Sequence, residues 1–413
     1  MPTETRLEPT EAGGAAGAEA TPLPLSGIRA IEFSHMVMGP SIGMILGDLG
    51  ADVIKVEPIK GDNTRRLTGS GAGFFPMYNR NKRSLAVDIR DPRGFRLVEA
   101  LIRGADVLIE NFRPGALEAL GLGEAAMRAA NPRLIYCSAK GFLPGPYAHR
   151  TALDEVVQMM AGLAYMTGPS GRPLRAGASV NDVMGGMFAV IGILAALRER
   201  DATGAGRRVT SALFENCVFL VGQHMLQAAV TGTPAPPMPE RQSAWAIYDV
   251  FDAADGQLFV GVVSDTQWRA FCSEFGLGDL LDDPALRTNP ARCAARPRFL
   301  PRIREILREL PLADALARAE AIGLPVAPIN RPEDLIEDPQ LAAAGSLLPV
   351  SARPGETAGA PAIPLALDDW RPGLRRDVPA IGADSRAIAA EAGLTADEIA
   401  RLQADGVLGG GER

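Results

Sequence analysis

A regular alternation of short apolar runs with helical patterns in the first third of the chain most limits how it can fold. Predicted strands lie at residues 28–33, 52–57, 84–89, 106–110 and 134–138. Predicted helices lie between them, at residues 40–49, 92–103 and 114–120. This rhythm is typical of a parallel sheet with helices on both faces. Ligands of such sheets bind beyond the carboxyl ends of the strands, so the residues after each strand are the first candidates for a site.

The pattern changes in the second half of the chain. Two long apolar helices, both expected to be buried, are predicted at residues 154–166 and 182–200. After the Pro-rich linker TGTPAPPMPE, residues 246–251 and 257–263 flank an Asp-Gly turn, which predicts a β-hairpin. Further helices are predicted at residues 266–275, 299–309, 312–322, 385–392 and 395–404, with a strand at 325–329.

These elements divide the chain into two folded parts. We predict an α/β domain at residues 25–225 and a small α+β domain at residues 226–330. Residues 1–24 and 405–413 are predicted to be flexible tails, because they are rich in Gly and small or polar residues. The first tail lacks the apolar core of a signal peptide, which favours a cytoplasmic protein.

Charge and composition exclude several classes of function. The 42 Lys+Arg against 49 Asp+Glu give a net charge of −7, which argues against a general nucleic-acid or anionic-membrane binder. A small basic pocket for one polyanionic ligand stays allowed. The 4 cysteines are widely spaced, and none of the 3 histidines has zinc-site spacing, so we expect free thiols and no metal. The apolar stretches are shorter than the ~20 residues that span a bilayer, so we expect no membrane contact.

The usual nucleotide fingerprints are missing, because the turn after the first strand reads SHMVMGPSIG and no P-loop occurs. The glycine run at 69–73 reads equally as a connector or as an active-site lid. The cationic run at 79–84 reads as a solvated surface or as a phosphate cradle, with Arg90 beyond the next strand as a further cation. Asn111, Phe112 and Arg113 follow another strand and offer a ring and a guanidinium at its carboxyl end.

Asp182 stands at the start of a predicted helix. An Asp in that place is most often an N-cap. Two features favour function: small residues surround it, including Gly185 and Gly186, and the helix-start amides are candidate donors to a carboxylate or to a nearby oxyanion. Its carboxylate is therefore either a structural cap or a nucleophile.

Several motifs together resemble the class III CoA transferase family, also called CaiB/BaiF, which includes formyl-CoA transferase and alpha-methylacyl-CoA racemase. They are LSGIRAIEFSHMVMGP, LGADVIKVEP, NRNKRSLAVDIRDPRG, ADVLIENFRPGALEALG and GASVNDVMGGMFAVIGILAALRER, in this order between residues 25 and 404. The resemblance implies a Rossmann-like large domain built from both chain ends, so that residues 331–404 return to the domain begun by residues 25–225. It also implies a smaller α+β domain and two subunits interlocked as a homodimer.

The resemblance also implies site residues. The family's catalytic aspartate falls on Asp182. Its CoA-binding residues fall on Val37, Met38, Ile89, Arg90, Asn111, Phe112, Arg113 and Asp154, and Lys140 is a further phosphate partner. Coenzyme A or acyl-CoA is expected as a substrate, with no permanently bound cofactor. CoA carries a diphosphate and a 3′-phosphate, which require cations in an otherwise acidic protein.

The resemblance predicts a CoA transferase that moves CoA from an acyl-CoA thioester to a carboxylic acid, a small organic acid or dicarboxylate, through covalent intermediates on Asp182. Arg80, Arg175 or Arg241 would pair with a second carboxylate. Family racemases place a His before the acid aligned with Asp154, where this chain has Leu153. Val37 in place of a Gln, and a run without glycine at 241–245, argue against oxalate. The alternatives are an acyl-CoA racemase or a non-catalytic CoA-binding protein.

Overall fold

The computed structural model describes residues 22–241, 243–353 and 355–410. The chain forms two compact units. The first contains residues up to Val157, Ser179–Asn216 and the chain from Leu348 onward, and the second contains Gln158–Ala178 and Cys217–Leu347. The predicted range 226–330 lies inside the second unit. Residues 158–178, 217–225 and 331–347 also group there, although they were predicted to belong to the large domain.

The first unit is built on a six-stranded parallel sheet. Its strands are β1 (Arg29–Phe33), β2 (Asp52–Glu57), β3 (Lys82–Ala86), β4 (Val107–Glu110), β5 (Ile135–Lys140) and β6 (Arg208–Ala212). They lie in the order β3-β2-β1-β4-β5-β6, with every pair parallel. This is the Rossmann order. Strands β1 to β3 are added towards one edge of the sheet and β4 to β6 towards the other, so the strand order reverses between β1 and β4. The prediction of an α/β fold with a parallel sheet is confirmed.

Helices α1 to α8 lie between or after these strands along the chain, and most of them belong to the first unit. They are α1 (Met38–Asp48), α2 (Phe74–Tyr78), α3 (Pro92–Arg103), α4 (Glu124–Ala130), α5 (Asp154–Met160), α6 (Leu163–Thr167, in the second unit), α7 (Val180–Thr203) and α8 (Leu213–Thr231, mostly in the second unit). Near the C-terminus come β10 (Leu347–Arg353), β11 (Glu356–Pro361), α15 (Ser385–Glu391) and α16 (Ala396–Ala404). Ile388 and Leu402 join the core formed by Ile31, Ile54 and Leu108, so the C-terminal segment packs with the sheet.

The second unit contains an antiparallel three-stranded sheet. Its strands are β7 (Ile247–Asp252), β8 (Gln257–Val262) and β9 (Val326–Pro328), in that order. Its helices are α9 (Asp265–Glu274), α10 (Gly278–Asp282), α11 (Asn289–Ala294), α12 (Arg296–Arg308), α13 (Leu312–Ala321) and α14 (Pro339–Ala343). Phe251, Trp268 and Ile303 belong to its own buried core. The predicted hairpin and the α+β character are confirmed.

Several predictions about elements are wrong. The single buried helix predicted at 154–166 is broken at Gly162, with a positive φ of 88°, into α5 and α6, and Met159 and Tyr165 there are about half exposed. Residues 114–120 form a turn and a short 3-10 helix at Glu118–Leu120, because Gly115 adopts a positive φ of 84° that interrupts an α-helix. The strand predicted at 84–89 ends at Ala86, which leaves Val87 to Arg90 as a loop. Of the tail predicted at 405–413, residues up to 410 are described, and Val407 and Leu408 are buried in the core. Residues 1–21 and 411–413 lie outside the described residues.

The long helix α7 approaches α1 closely. A Cβ added at Gly186 would lie 2.0 Å from the Ser41 Oγ, and one at Gly185 would lie 2.6 Å from the Met38 Cε. By length and composition α7 also meets the criteria for a membrane span, as core helices of soluble proteins do. The prediction that it is wholly buried is wrong, because Met187 and Ile191 are more than half exposed while the opposite face packs on α1 and the sheet.

Candidate active site

A cavity of about 790 Å³ opens at the carboxyl ends of four neighbouring strands of the first unit. Its wall is formed by Phe33 to Met36 after β1, Val56 to Leu67 at and after β2, Val87 to Arg90 after β3, and Phe112 with Ala116, Leu117 and Leu120 after β4. A volume of this size suits a cofactor-sized ligand. The cavity lies where a doubly wound sheet places its ligands, at the reversal between β1 and β4.

The loop between β1 and α1 is fixed by side chains from three other segments. Met36 adopts a positive φ of 63°, which a residue with a side chain rarely does. The Thr64 Oγ1 accepts the Met36 N–H at 2.9 Å. The Asn111 side chain brackets His35, accepting its N–H at 3.1 Å and donating to its carbonyl oxygen at 2.8 Å. Lys55 donates to the Ser34 carbonyl oxygen at 2.8 Å, so the loop conformation is held from several sides.

A chain of buried charges lies behind this loop. The Lys82 Nζ donates to the Glu32 Oε1 at 3.0 Å and forms an ion pair with the Oε2 at 2.8 Å, and the Lys55 Nζ lies 3.0 Å from the Asp62 carboxylate. Burial lowers the pKa of Lys82 to about 8, against the opposing attraction of Glu32. Asp62 in turn accepts from the Thr64 N–H and hydroxyl, at 2.9 and 2.8 Å. The network therefore joins the sheet to the residue that holds Met36.

The cations of the 79–84 run are structural. Arg80 is fully buried and donates to Asp48 at 2.6 Å. Lys82 pairs with Glu32, and Arg83 donates to Asp52 at 2.8 Å and Glu391 at 2.7 Å. The phosphate-cradle hypothesis for this run, and the idea that Arg80 receives a second carboxylate, are wrong. Each of these side chains already has a carboxylate partner.

The cavity has other cations. Arg90 lines it, as the family resemblance implied, and its side chain is exposed. Lys60 and Arg66 also line it, and sequence reasoning missed both. The signal was available, because KGDNTRR directly follows β2, and the carboxyl end of each strand was the place to search. The Arg66 guanidinium is held in place by the hydrogen bonds that it donates to the Lys60 carbonyl oxygen at 2.8 Å and to the Asn63 side chain at 2.5 Å.

The other residues named for CoA occupy different places. Ile89 and Phe112 line the cavity, and the Phe112 ring lies 5.4 Å from the ring of His35. The side chains of Val37 and Met38 are buried at the start of α1, and neither residue is among those that line the cavity. The Lys140 Nζ donates to Glu110 at 2.7 Å and to the Phe112 carbonyl oxygen at 2.8 Å. Arg113 is exposed, and neither it nor Lys140 is among the residues that line the cavity.

Asp182 lies in the first turn of α7. The helix begins at Val180 with Ser179 as its N-cap residue, so the prediction that Asp182 itself could be the cap is wrong. The Asp154 carboxylate instead accepts the N–H groups of Asn181 and Asp182, at 2.8 and 3.1 Å. These two helix-start amides are therefore not free to stabilise an oxyanion. The expectation that they would do so is wrong.

The surroundings of Asp182 are apolar and acidic. Burial, followed by the negative charges of Asp154 and Glu155, raises the pKa of Asp182 to about 7. Tyr78 lies near enough that the Asp182 charge, added to burial, raises the pKa of its phenol. The next turn of α7 packs against Met38 and Ser41 of α1, the helix that follows the cavity loop. Among the described residues no cluster of His, Cys, Asp or Glu is arranged to hold a metal ion.

Comparisons with known proteins agree with this architecture. A family profile described as CoA-transferase family III matches residues 25–385. The succinate–glutarate CoA-transferase of Agrobacterium fabrum is 34% identical over 385 residues, 89% of this chain and 95% of that protein. The formyl-CoA:oxalate CoA-transferase of Streptomyces avermitilis is 32% identical over 410 residues, 93% of this chain and 99% of that protein. A CAIB/BAIF family protein from Brucella suis has a similar crystal structure, with TM-score 0.82, 33% identity, and coverage of 90% of this chain and 100% of that chain.

The matches cover nearly the whole chain and agree in fold and in reaction class. The chain belongs to CoA-transferase family III. The predicted function is confirmed: the protein is a CoA transferase that moves CoA from an acyl-CoA thioester to a carboxylic acid. The fold expected from the resemblance is confirmed as well, apart from the interlocking of two subunits, which stays a prediction.

Proposed function

We propose that the protein transfers CoA by covalent catalysis at Asp182. The Asp182 carboxylate attacks the carbonyl carbon of the donor thioester and the C–S bond breaks. The products are an aspartyl–acyl anhydride on Asp182 and free CoA thiolate. The thiolate then attacks the Asp182 carbonyl, which releases the donor acid and leaves an aspartyl-CoA thioester. The acceptor carboxylate displaces the thiolate to form a second anhydride. Thiolate attack on the acceptor carbonyl releases the new acyl-CoA and restores the Asp182 carboxylate.

The observation that carries this proposal is the environment of the Asp182 carboxylate. Within the described residues it makes no side-chain hydrogen bond or ion pair, and its pKa is raised to about 7. A carboxylate without donors is a stronger nucleophile than one stabilised by amides or cations, and near neutral pH a large fraction is still ionised. The structural alternative, a helix cap, loses its basis because Asp154 takes the amides.

The nucleotide part of CoA is proposed to occupy the cavity at the strand ends. Arg90, Lys60 and Arg66 supply positive charge for the phosphates, and Phe112 and Ile89 supply apolar surface for the adenine. The backbone at Val37 and Met38 lies between this cavity and α7, which suits the path of the pantetheine arm. Asn111 serves the site by fixing the backbone of His35. Contacts of Arg113 and Lys140 with CoA stay proposals from the family resemblance.

The acids exchanged are proposed to be small dicarboxylates. This rests on relatives whose names specify succinate, glutarate and oxalate. The test is a panel of acyl-CoA donors against mono- and dicarboxylates, read by mass spectrometry of the CoA products, with wild type beside Asp182→Asn. We expect transfer to dicarboxylates by wild type and a loss of several orders of magnitude in the variant, because a neutral amide cannot form the anhydride. An Asp182→Asn enzyme that keeps a tenth of wild-type transfer would refute the role of Asp182.

The assembly and location of the protein are also proposals. We propose a cytoplasmic homodimer, interlocked as the family resemblance implies, with no membrane or nucleic-acid partner. The support comes from the acidic balance of the chain, with net charge −7, and from exposed apolar side chains on α7 and α8 that a second subunit would cover. No permanently bound cofactor is required, since the transfer conserves the energy of the thioester.

A further inference from the structure

We propose that Asp154 is a positioning residue for CoA transfer: it takes the helix-start amides of α7, so that the Asp182 carboxylate is left without a donor and reacts as a nucleophile. The family resemblance gave Asp154 only as a CoA contact. The inference deepens the proposed function and rests on the assignment of Asp182 as nucleophile.

The geometry at the start of α7 is unusual for a helix terminus. The N-cap residue Ser179 makes no side-chain cap hydrogen bond. One carboxylate oxygen of Asp154, which begins α5 and is 4% exposed, accepts both the Asn181 and the Asp182 N–H, at 2.8 and 3.1 Å. A residue 28 positions away in sequence therefore does what a local cap ordinarily does. Asp154 is also not among the residues that line the cavity.

This arrangement separates the tasks of two neighbouring acids. An Asp in the first turn of a helix is ordinarily stabilised in its charged form by free amides and by the helix dipole. Here those amides already donate to the Asp154 carboxylate. The negative charge of Asp154 also repels the charge on Asp182. Asp154 thereby fixes the backbone of the nucleophile and removes the donors that would weaken it. Pairs of acids in unlike environments commonly divide catalytic roles in this way.

The groups facing Asp182 support this account. Asp154 and Glu155 on α5 both repel its negative charge, and Tyr78 on α2 is a neutral phenol whose own pKa is raised. The first turn of α1, which contacts α7 one turn beyond Asp182, carries no acidic side chain. After burial, Asp154 is the largest cause of the raised pKa of Asp182, ahead of Glu155.

The test is the pH profile of kcat/KM for Asp154→Asn, with Glu155→Gln as the matched control. Asn keeps an oxygen acceptor for the amides but removes the charge. We expect the acidic limb of the profile, near pH 7 in wild type, to move down by about half a pH unit or more, because one repelling charge is gone. Maximal kcat should fall about tenfold with the weaker nucleophile, while KM for acyl-CoA stays within about threefold. Glu155→Gln should move the limb less and lower maximal kcat less than Asp154→Asn does.

Other outcomes would overturn the inference. A raised KM with an unmoved limb would make Asp154 a CoA contact, and a lowered melting temperature with an unchanged profile would make it structural only. Equal effects of the two variants would show that charge alone matters. Asp154→Ser, which also keeps an oxygen acceptor, is the second variant, and failure of both Asp154 variants to fold would count against the proposal. If Asp182→Asn keeps its activity, the proposed nucleophile fails, and that result is distinct from failure at Asp154.

Discussion

Asp182 and Asp154 show how position decides what a carboxylate does. Both are acids near the start of α7, yet one accepts two backbone amides and the other accepts none within the described residues. The sequence identified Asp182 through a motif and a helix start, and left the choice between cap and nucleophile open. It could not resolve that choice, because the competing cap comes from a residue on another helix, which no local pattern reveals.

The raised pKa of Asp182 predicts a pH-dependent change in stability. The folded protein holds this proton up to about pH 7, whereas an ordinary Asp loses it near 3.8. Ionising Asp182 therefore lowers the free energy of unfolding as pH rises from about 4 through 7. Asp182→Asn removes that cost, so its melting temperature should match that of wild type at pH 4 and be higher at pH 8. The free energy of unfolding of the variant should exceed that of wild type at pH 8 by about 1 kcal/mol or more. Thermal denaturation at both pH values is the measurement.

A wild-type protein more stable than Asp182→Asn at pH 8 would contradict this prediction. Asp182→Ala should lose no cap, since the amides belong to Asp154. It should lose only the packing of the side chain.

The cavity cations predict a separate effect on substrate affinity. Arg90→Ala and Lys60→Ala should each raise KM for acyl-CoA by about tenfold, because a charge-assisted bond to phosphate contributes about 1.5 to 3 kcal/mol. Turnover at saturation should change less. Arg103→Ala is the control, because Arg103 is exposed on α3 and pairs only with Glu99 among the described residues. Steady-state kinetics with acyl-CoA varied would measure the effect, and an unchanged KM in a folded Arg90 variant would remove it from the site.

The loop between β1 and α1 is the element on which the two parts of the site depend. It lines the cavity at His35 and Met36 and leads into the start of α1, which contacts α7. The sequence predicted that a site follows β1, since strand ends of such sheets carry ligands. It gave no indication of the left-handed Met36, because that conformation depends on hydrogen bonds from Thr64 and Asn111.

Thr64→Val tests how far the loop depends on its support. Valine keeps the shape of threonine but cannot accept the Met36 N–H, so the positive φ of Met36 loses its partner. We expect a loss of about 1 kcal/mol or more of stability, because the part-buried Met36 N–H loses its acceptor and Asp62 loses the Thr64 hydroxyl as a donor. We also expect a KM for acyl-CoA raised several-fold. Thr203→Val, at an exposed helix end, is the control. Denaturant unfolding together with kinetics would measure both effects, and a variant with wild-type stability and KM would show that the loop needs no such support.

Secondary structure was predictable where the apolar residues of one element follow a regular helical or strand spacing within that element. The strand at 52–57 and the helix at 92–103 match the structure residue for residue. The helix expected at 114–120 is absent because of Gly115, and β6 was missed because its five-residue run RVTSA is short and carries few large apolar residues. The cationic run at 79–84 misled for another reason. Its acid partners, Asp48, Glu32, Asp52 and Glu391, are distant in sequence, so its burial could not be inferred.

At the scale of the whole molecule, the return of the C-terminal segment to the first sheet came only from the family resemblance. The contacts that fix it are long-range ones, such as the pairing of Arg83 with Glu391 and the burial of Leu408 in the core. The assembly is the remaining question at this scale. Exposed apolar side chains on α7, such as Met187 and Ile191, and on α8 of the second unit, such as Met225 and Val230, favour a covered surface.

These surfaces and the family resemblance predict a homodimer that does not exchange subunits under native conditions. Sedimentation at micromolar concentration should give a dimer. Two differently tagged preparations, mixed and incubated for hours, should yield no mixed dimers, because interlocked chains separate only by unfolding. Unfolding and refolding the mixture is the control that should produce them. A monomer, or rapid mixing of native dimers, would contradict the interlocked assembly.

The central claim is that the Asp182 carboxylate exchanges oxygen with the substrates. In the proposed mechanism the acceptor acid forms an anhydride with Asp182, and thiolate attack on the acceptor carbonyl leaves one acceptor oxygen on Asp182. With an acceptor labelled in its carboxylate with oxygen-18, mass spectrometry of the peptide that contains Asp182 should show the isotope after turnover. The same peptide from enzyme incubated without acyl-CoA should show none. Turnover without any label in that peptide would show that the acceptor never bonds to Asp182.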